Sequence, residues 1–137
     1  MTPEQVELIQ GSFDELWPVR REFAARFYSR FFELAPDARG LFPHDLEHQY
    51  FTLMNMLAAI VGVLDNRELF QSMTTYAGRQ HARFGAKLQH FISFGEALIW
   101  CLDQQFGETF TPELRQGWTT LYATAQNRMT SAAERAA

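Results

Sequence analysis

The chain has 137 residues, of which 47% are hydrophobic and 20% charged, and its formal net charge is −4 at pH 7. This length and balance are typical of one globular domain with a single core, and the acidic charge argues against a generic nucleic-acid-binding protein. The single cysteine, Cys101, excludes a disulfide within the chain, and its apolar neighbours favour a small core residue over a nucleophile. No apolar run reaches the length of a membrane span and the polar N-terminus does not resemble a signal peptide, so we expect a cytoplasmic protein.

The first part of the chain predicts two helices and a corner. Thr2, Pro3 and Gln5 form a helix start, with a capping hydroxyl, a proline in the first turn and a capping-box partner. Pro18 interrupts the apolar stripe that follows, and a phenylalanine-rich second helix begins close behind it. Pro36 ends that helix, and the segment PDARGLFPHD is predicted to be a turn-rich corner.

The rest of the chain predicts four further helices and no strand. The third helix covers about residues 46–64 and the fourth about residues 66–84, with Gly85 suited to the C-cap. The fifth covers QHFISFGEALIWCLDQQF, and a second Thr-Pro-Glu start at Thr111 opens the sixth, whose tail SAAERAA is expected to fray. We therefore expect a single all-α domain over residues 1–137 with six or more helices.

His81 lies in the apolar stripe of the fourth helix. Steps of three and four residues place on one face Phe70, Met73, Ala77, His81 and Phe84. An imidazole is polar and titrates near neutral pH, so it needs a partner there. That partner is either a neighbouring carbonyl, as in a core-edge histidine, or a metal-centred ligand.

Three other residues favour the metal-centred ligand. Gln49 heads the apolar stripe of the third helix, where an amide needs a partner. Tyr28 places a hydroxyl on the phenylalanine-rich helix, and Phe42 is a large ring in the corner. A histidine, a tyrosine and a glutamine on three helices suit a metal-centred cofactor, and a chain with 15% aromatic residues can line a dry slot for a flat one. Spacing along one sequence does not show that these residues face each other.

Two further histidines leave a zinc site as an alternative. His44 and His48 are four residues apart, which suits two ligands on one helix face. Their position beside Pro43, where a loop meets a helix, favours exposed histidines instead.

The chain resembles a globin, most closely the bacterial single-domain globins and the haem domain of flavohaemoglobins. Four segments carry the resemblance: FYSRFFELAPDARGLF (27–42), QYFTLMNMLAAIVGVLDN (49–66), RQHARFG (79–85) and GWTTLY (117–122). With the helices between them they cover essentially the whole chain, and only the loop between Phe42 and Gln49 is short. The resemblance implies a globin fold, a three-over-three helical sandwich around haem b.

The resemblance also implies roles for residues. His81 would be the proximal iron ligand through Nε2, with Nδ1 donating to a backbone carbonyl near Ala77. On the opposite side, Tyr28 and Gln49 would point at bound gas. The residues expected to contact or surround the haem are Phe42, Leu53, Phe84, Lys87 and Phe91.

The function implied by the resemblance is reversible binding of O2, and of NO and CO, at a five-coordinate iron, as in oxygen transport. Tyr28 and Gln49 also imply nitric oxide dioxygenation, for which a separate reductase would be a required partner. The proximal tyrosine and glutamate of flavohaemoglobins are replaced by Phe91 and Ala133, so binding is better supported than catalysis.

Three alternatives stay open. The domain could be a haem-based gas sensor, or a helical interaction module without haem. If the corner shifts register by one residue, His48 takes the place of Gln49 and could ligate the iron, and His44 is a further candidate. Lys87, near the expected propionate edge, could equally belong to a solvated cationic surface.

Overall fold

The structure is a computed structural model that describes residues 1–136, without the side chains of Ala133, Arg135 and Ala136. The described chain contains six α-helices and no strand, which confirms the all-α prediction. In chain order the helices are α1 (Pro3–Leu16), α2 (Arg20–Leu34), α3 (Glu47–Gly62), α4 (Arg67–Arg83), α5 (Leu88–Phe106) and α6 (Pro112–Ala136). Short 3₁₀ helices cover Trp17–Val19, Pro36–Leu41 and Gly107–Thr109.

The predicted helix starts are formed by side-chain caps. At α1, the Thr2 hydroxyl accepts from the Gln5 backbone N–H at 3.1 Å, and Gln5 Oε1 accepts from the Thr2 N–H at 3.0 Å. At α6, the Thr111 hydroxyl accepts from the Leu114 N–H at 3.2 Å. These bonds satisfy backbone donors that the first turn of a helix leaves unpaired.

The fourth helix ends as its glycine predicts. Gly85 has φ of 83°, a conformation that residues with a Cβ rarely adopt. Its N–H donates to Ala82 O at 3.2 Å, and the Ala86 N–H donates to His81 O at 3.1 Å. This pair of bonds is a Schellman motif, and it directs the chain sharply from α4 towards α5.

Three predicted boundaries need correction. The third helix covers residues 47–62 instead of 46–64; its N-cap residue Leu46 makes no side-chain bond, and Asp45 Oδ1 accepts from the Glu47 N–H at 3.0 Å. The fourth covers residues 67–83, with Asn66 outside it as the N-cap. The sixth is helical from Pro112 to Ala136 and so includes most of the tail that was expected to fray, and Ala137 lies outside the described residues.

The helices pack in pairs around an aromatic core. Helices α4 and α6 approach so closely that a Cβ on Gly78 would lie 2.3 Å from the carbonyl oxygen of Met129. Helix α2 packs along α5, where the rings of Phe27 and Phe94 lie 4.6 Å apart. Trp118 is fully buried and donates from Nε1 to Ser12 Oγ at 2.9 Å, which joins α6 to α1. Among the described helices, none is both long and apolar enough to cross a bilayer.

Candidate functional site

Tyr28 and Gln49 meet between α2 and α3. Gln49 Nε2 donates to the hydroxyl oxygen of Tyr28 at 3.2 Å. Tyr28 is 2% exposed, and this burial raises its pKa to about 12, although the hydrogen bond from Gln49 opposes the shift. The phenol is therefore protonated at neutral pH, and among the described residues none accepts its O–H.

The corner after α2 places Phe42 against the same tyrosine. The ring centroids of Phe42 and Tyr28 lie 5.6 Å apart. The guanidinium of Arg39 holds the corner, because it donates to the carbonyl oxygens of Phe42 at 3.3 Å, Pro43 at 3.0 Å and His44 at 3.0 Å. Corner carbonyls have no helical partner, so these bonds hold the backbone that carries the Phe42 ring.

Leu53 lies one turn after Gln49 on α3 and is buried. Residues four apart on a helix share a face, so Leu53 continues the face on which Gln49 contacts Tyr28. The sequence analysis missed Tyr50, whose ring centroid lies 5.9 Å from that of Tyr28. It also missed Arg21, which pairs with Glu47 at the start of α3.

His81 packs edge-on against Phe91, with ring centroids 5.4 Å apart at 85°. Its Nδ1 is buried and has no hydrogen-bond partner among the described residues. The expected bond to a carbonyl near Ala77 is therefore wrong. The physical reason is the orientation of the ring, which packs edge-on against Phe91 and leaves Nδ1 without an acceptor.

The environment of His81 favours its neutral form. Burial lowers the pKa of the imidazole, and no charged neighbour opposes this effect. A buried polar atom without a hydrogen bond costs about 1–3 kcal/mol. Such an atom in a native fold therefore requires an explanation.

The remaining predicted residues, Phe84 and Lys87, are exposed to solvent near the end of α4. Phe84 is 68% exposed at the C-terminal end of α4, and Lys87 is exposed just after the Gly85 turn. The structure thus brings together Tyr28, Gln49 and Phe42 in one group and His81 with Phe91 in another, with Phe84 and Lys87 outside both.

The other two candidate histidines stand apart from both groups. His44 precedes α3 instead of lying on it, so it does not share a helix face with His48. His48 is exposed and stacks on the exposed ring of Phe51, with centroids 6.4 Å apart. Within the described residues, no three His, Cys, Asp or Glu side chains are grouped as metal ligands.

Arg39 had a signal in the sequence, whereas the contact of Tyr50 had none. An arginine within a turn-rich corner is well placed to donate to the unpaired carbonyls around it. Tyr50, by contrast, follows Gln49 directly, and adjacent helical residues diverge by 100°, so its contact with Tyr28 depends on how α2 and α3 pack.

The sequence profile of the globin family matches residues 25–129. The chain is similar to Neuroglobin of Tetraodon nigroviridis, with 30% identity over 90% of this chain and 86% of that protein. It is also similar to Neuroglobin of Danio rerio, with 29% identity over 90% of this chain and 86% of that protein. A third relative is Neuroglobin-1 of Oncorhynchus mykiss, with 28% identity over 89% of this chain and 86% of that protein. The finer resemblance to bacterial globins and flavohaemoglobins stays a prediction.

His81 provides the test of whether these residues fit the haem of this family. Globins hold haem iron through a proximal histidine. The imidazole of His81 is favoured in its neutral form, and none of the hydrogen bonds among the described residues uses its Nε2, so it has the protonation state and the free nitrogen that a haem ligand needs. The profile match, the helical fold and this histidine agree, and we conclude that the chain belongs to the globin family, whose members bind haem and gaseous ligands such as O2.

Proposed function

We propose that this chain binds O2 reversibly at haem b, with His81 as the proximal iron ligand and with Tyr28 as the donor to the bound gas. The observation that carries the proposal is the hydroxyl of Tyr28, which is buried, protonated and without an acceptor among the described residues. Haem b, when bound, supplies a ferrous iron with affinity for O2, NO and CO.

Gln49 acts through Tyr28 in this proposal. Its Nε2–H donates to the Tyr28 oxygen, so the amide polarises the phenol and strengthens the O–H as a donor. A ligand with partial negative charge, such as O2, gains from this donor in a dry environment, whereas CO carries little charge and gains less. One such bond contributes roughly 1 kcal/mol or more, which corresponds to O2 release slowed about fivefold or more.

The proximal side supports binding more than catalysis. Nδ1 of His81 has no acceptor, and the nearest ring is the apolar Phe91. Without an acceptor, the imidazole keeps its Nδ1 proton and gains little imidazolate character. Nitric oxide dioxygenation with a separate reductase is a second candidate, and the Tyr28–Gln49 pair is the observation that favours it.

The proposed haem contacts divide into packed and exposed residues. Phe42, Leu53 and Phe91 are largely packed within the protein and would enclose the cofactor. Phe84 exposes an apolar ring that a flat cofactor would cover, and the ammonium of Lys87 is suited to a propionate.

An open position on the iron is also part of the proposal. His48 is the rival ligand, but its ring is exposed and stacks on Phe51, while Gln49 makes the contact with Tyr28. We therefore expect a five-coordinate ferrous state in the absence of gas.

The test is the visible absorption spectrum of haem-supplemented protein, reduced and free of air. The wild type should give a five-coordinate ferrous band, His81→Gly should lose it, and imidazole added to His81→Gly should restore it. His44→Ala is the matched control and should resemble the wild type. No haem band in the wild type would overturn the proposal, and a six-coordinate band abolished by His48→Ala would overturn the open position.

A further inference from the structure

His90 is a buried titratable side chain that the proposed gas binding does not use. It is 7% exposed and lies in the first turn of α5. Its Nδ1 accepts from the backbone N–H of Lys87 at 3.0 Å, and its Nε2 lies 2.9 Å from Asp37 Oδ2. Because Nδ1 accepts, the ring proton is on Nε2, which donates to the carboxylate. Both ring nitrogens are therefore satisfied by one neutral tautomer.

The bond between His90 and Asp37 joins two segments that are 53 residues apart in the chain. Asp37 lies in the 3₁₀ helix Pro36–Leu41, which leads directly to Phe42. His90 precedes Phe91, whose ring packs against His81. The bond thus connects the corner that holds Phe42 to the start of α5, where Phe91 contacts His81.

We infer that the Asp37–His90 pair positions both sides of the haem site, namely the corner that carries Phe42 and the start of α5 that carries Phe91, and thereby slows haem release. This inference rests on the proposed function. Asp37 is a positioning residue here, because it acts through His90 and the two segments and has no described contact with His81, Tyr28 or Gln49.

The charges around the pair support this role. His90 and, more weakly, Lys87 lower the pKa of the Asp37 carboxyl, so the acceptor stays ionised at neutral pH. The Asp37 side chain is 68% exposed, whereas that of His90 is 8% exposed. Removing the carboxylate would therefore leave a buried Nε2–H without its acceptor, which is costlier than losing an exposed ion pair.

The matched variants are Asp37→Ala, Asp37→Asn and Asp103→Ala. Asp37→Ala removes the acceptor, and Asp37→Asn keeps an acceptor oxygen without the charge. Asp103→Ala is the control, because it breaks an exposed ion pair with Arg115, 2.6 Å long, between α5 and the start of α6. Haem transfer from each reduced or oxidised variant to an excess of haem-scavenging apoprotein gives the release rate.

We expect Asp37→Ala to release haem roughly three- to tenfold faster than the wild type, as loss of one part-buried hydrogen bond implies. Asp37→Asn should restore most of the retention, and Asp103→Ala should match the wild type. Equal release from Asp37→Ala and Asp103→Ala would overturn the inference.

A second measurement, amide hydrogen exchange of the haem-free full chain, does not depend on haem. Asp37→Ala should speed exchange both in residues 37–42 and in residues 84–91, because the pair joins these segments. Faster exchange in residues 37–42 alone would show a local role and overturn the inference. A wild type that takes up no haem would overturn the proposed function and the effect on haem release. The exchange data would still decide whether the pair joins residues 37–42 to residues 84–91.

Discussion

The direction of the hydrogen bond between Gln49 and Tyr28 determines what each side chain can do. Since the amide donates and the phenol oxygen accepts, the phenol proton is the one that remains for a ligand. Tyr28→Phe should therefore accelerate O2 dissociation about fivefold or more and change CO dissociation much less. Stopped-flow ligand replacement measures both rates.

The matched control for this change is Tyr50→Phe. Tyr50 packs against Tyr28 but does not make the bond to Gln49. Its O2 dissociation rate should stay close to that of the wild type. Equal acceleration of O2 and CO in Tyr28→Phe would contradict a role for the hydroxyl in stabilising charge.

A double-mutant cycle tests whether Gln49 acts through Tyr28. Gln49→Leu should accelerate O2 dissociation severalfold in the wild type and have almost no effect in Tyr28→Phe, because the group it polarises is then missing. Additive effects in the double variant would show instead that the amide contacts the gas directly. The measurement is the O2 dissociation rate of all four proteins.

At this scale the sequence predicted residue types better than partners. A glutamine heading an apolar stripe needed a partner, and the structure places it against Tyr28. The carbonyl partner expected for His81 Nδ1 was wrong. The orientation of the imidazole depends on its contact with Phe91, and Phe91 lies on α5, outside the apolar stripe of α4 from which the bond was predicted. The partner of His90 lies 53 residues away, and no local pattern predicts such a contact.

At the scale of elements, the tightest contact is between α4 and α6. Gly78→Ala would place a Cβ 2.3 Å from the backbone oxygen of Met129, which cannot move aside as a side chain can. We expect a loss of about 1–3 kcal/mol in the free energy of unfolding, the usual cost of overpacking. Urea unfolding of the haem-free protein measures it.

Gly11→Ala is the control for that experiment. Gly11 lies within α1, and a Cβ added there would meet nothing within 4 Å. Alanine at this position should raise the free energy of unfolding by about 0.5–1 kcal/mol, because it restricts the unfolded chain. A similar change in both variants would mean that the α4–α6 contact is looser than described.

Caps explain which element boundaries the sequence predicted. The starts of α1 and α6 and the end of α4 have a capping side chain or a left-handed glycine, and each was predicted from those residues. The C-terminal end of α3, at Val63, has neither a capping side chain nor a left-handed glycine, and its predicted end was two residues too long. Without a cap, the apolar pattern alone locates a helix but not its ends.

At the scale of the whole molecule, His81 links the stability of the haem-free protein to pH. Burial lowers the pKa of His81 in the folded state, so below the ordinary histidine value of about 6.5 the unfolded chain binds more protons. The free energy of unfolding should therefore fall as pH decreases from about 7 to 5. One proton contributes at most about 1.4 kcal/mol per pH unit.

His81→Leu should remove this contribution and flatten the pH dependence. It also removes a buried nitrogen without a partner, so the variant should be more stable than the wild type by about 1–3 kcal/mol at neutral pH. Urea unfolding midpoints between pH 5 and 7.5 test both statements. Parallel curves for the two proteins would mean that another group is responsible for the pH dependence.

The close approach of Gly78 and Met129 also has a mechanical consequence for the helix that carries His81. His81 stands three residues beyond this contact, about 4.5 Å further along the helix axis. The backbone of α6 blocks α4 from moving inwards at position 78, whereas the C-terminal end of α4 leads into the turn at Gly85. A pull on the imidazole would therefore rotate the last turn and a half of α4 about a pivot at Gly78, and the rest of the helix would stay in place.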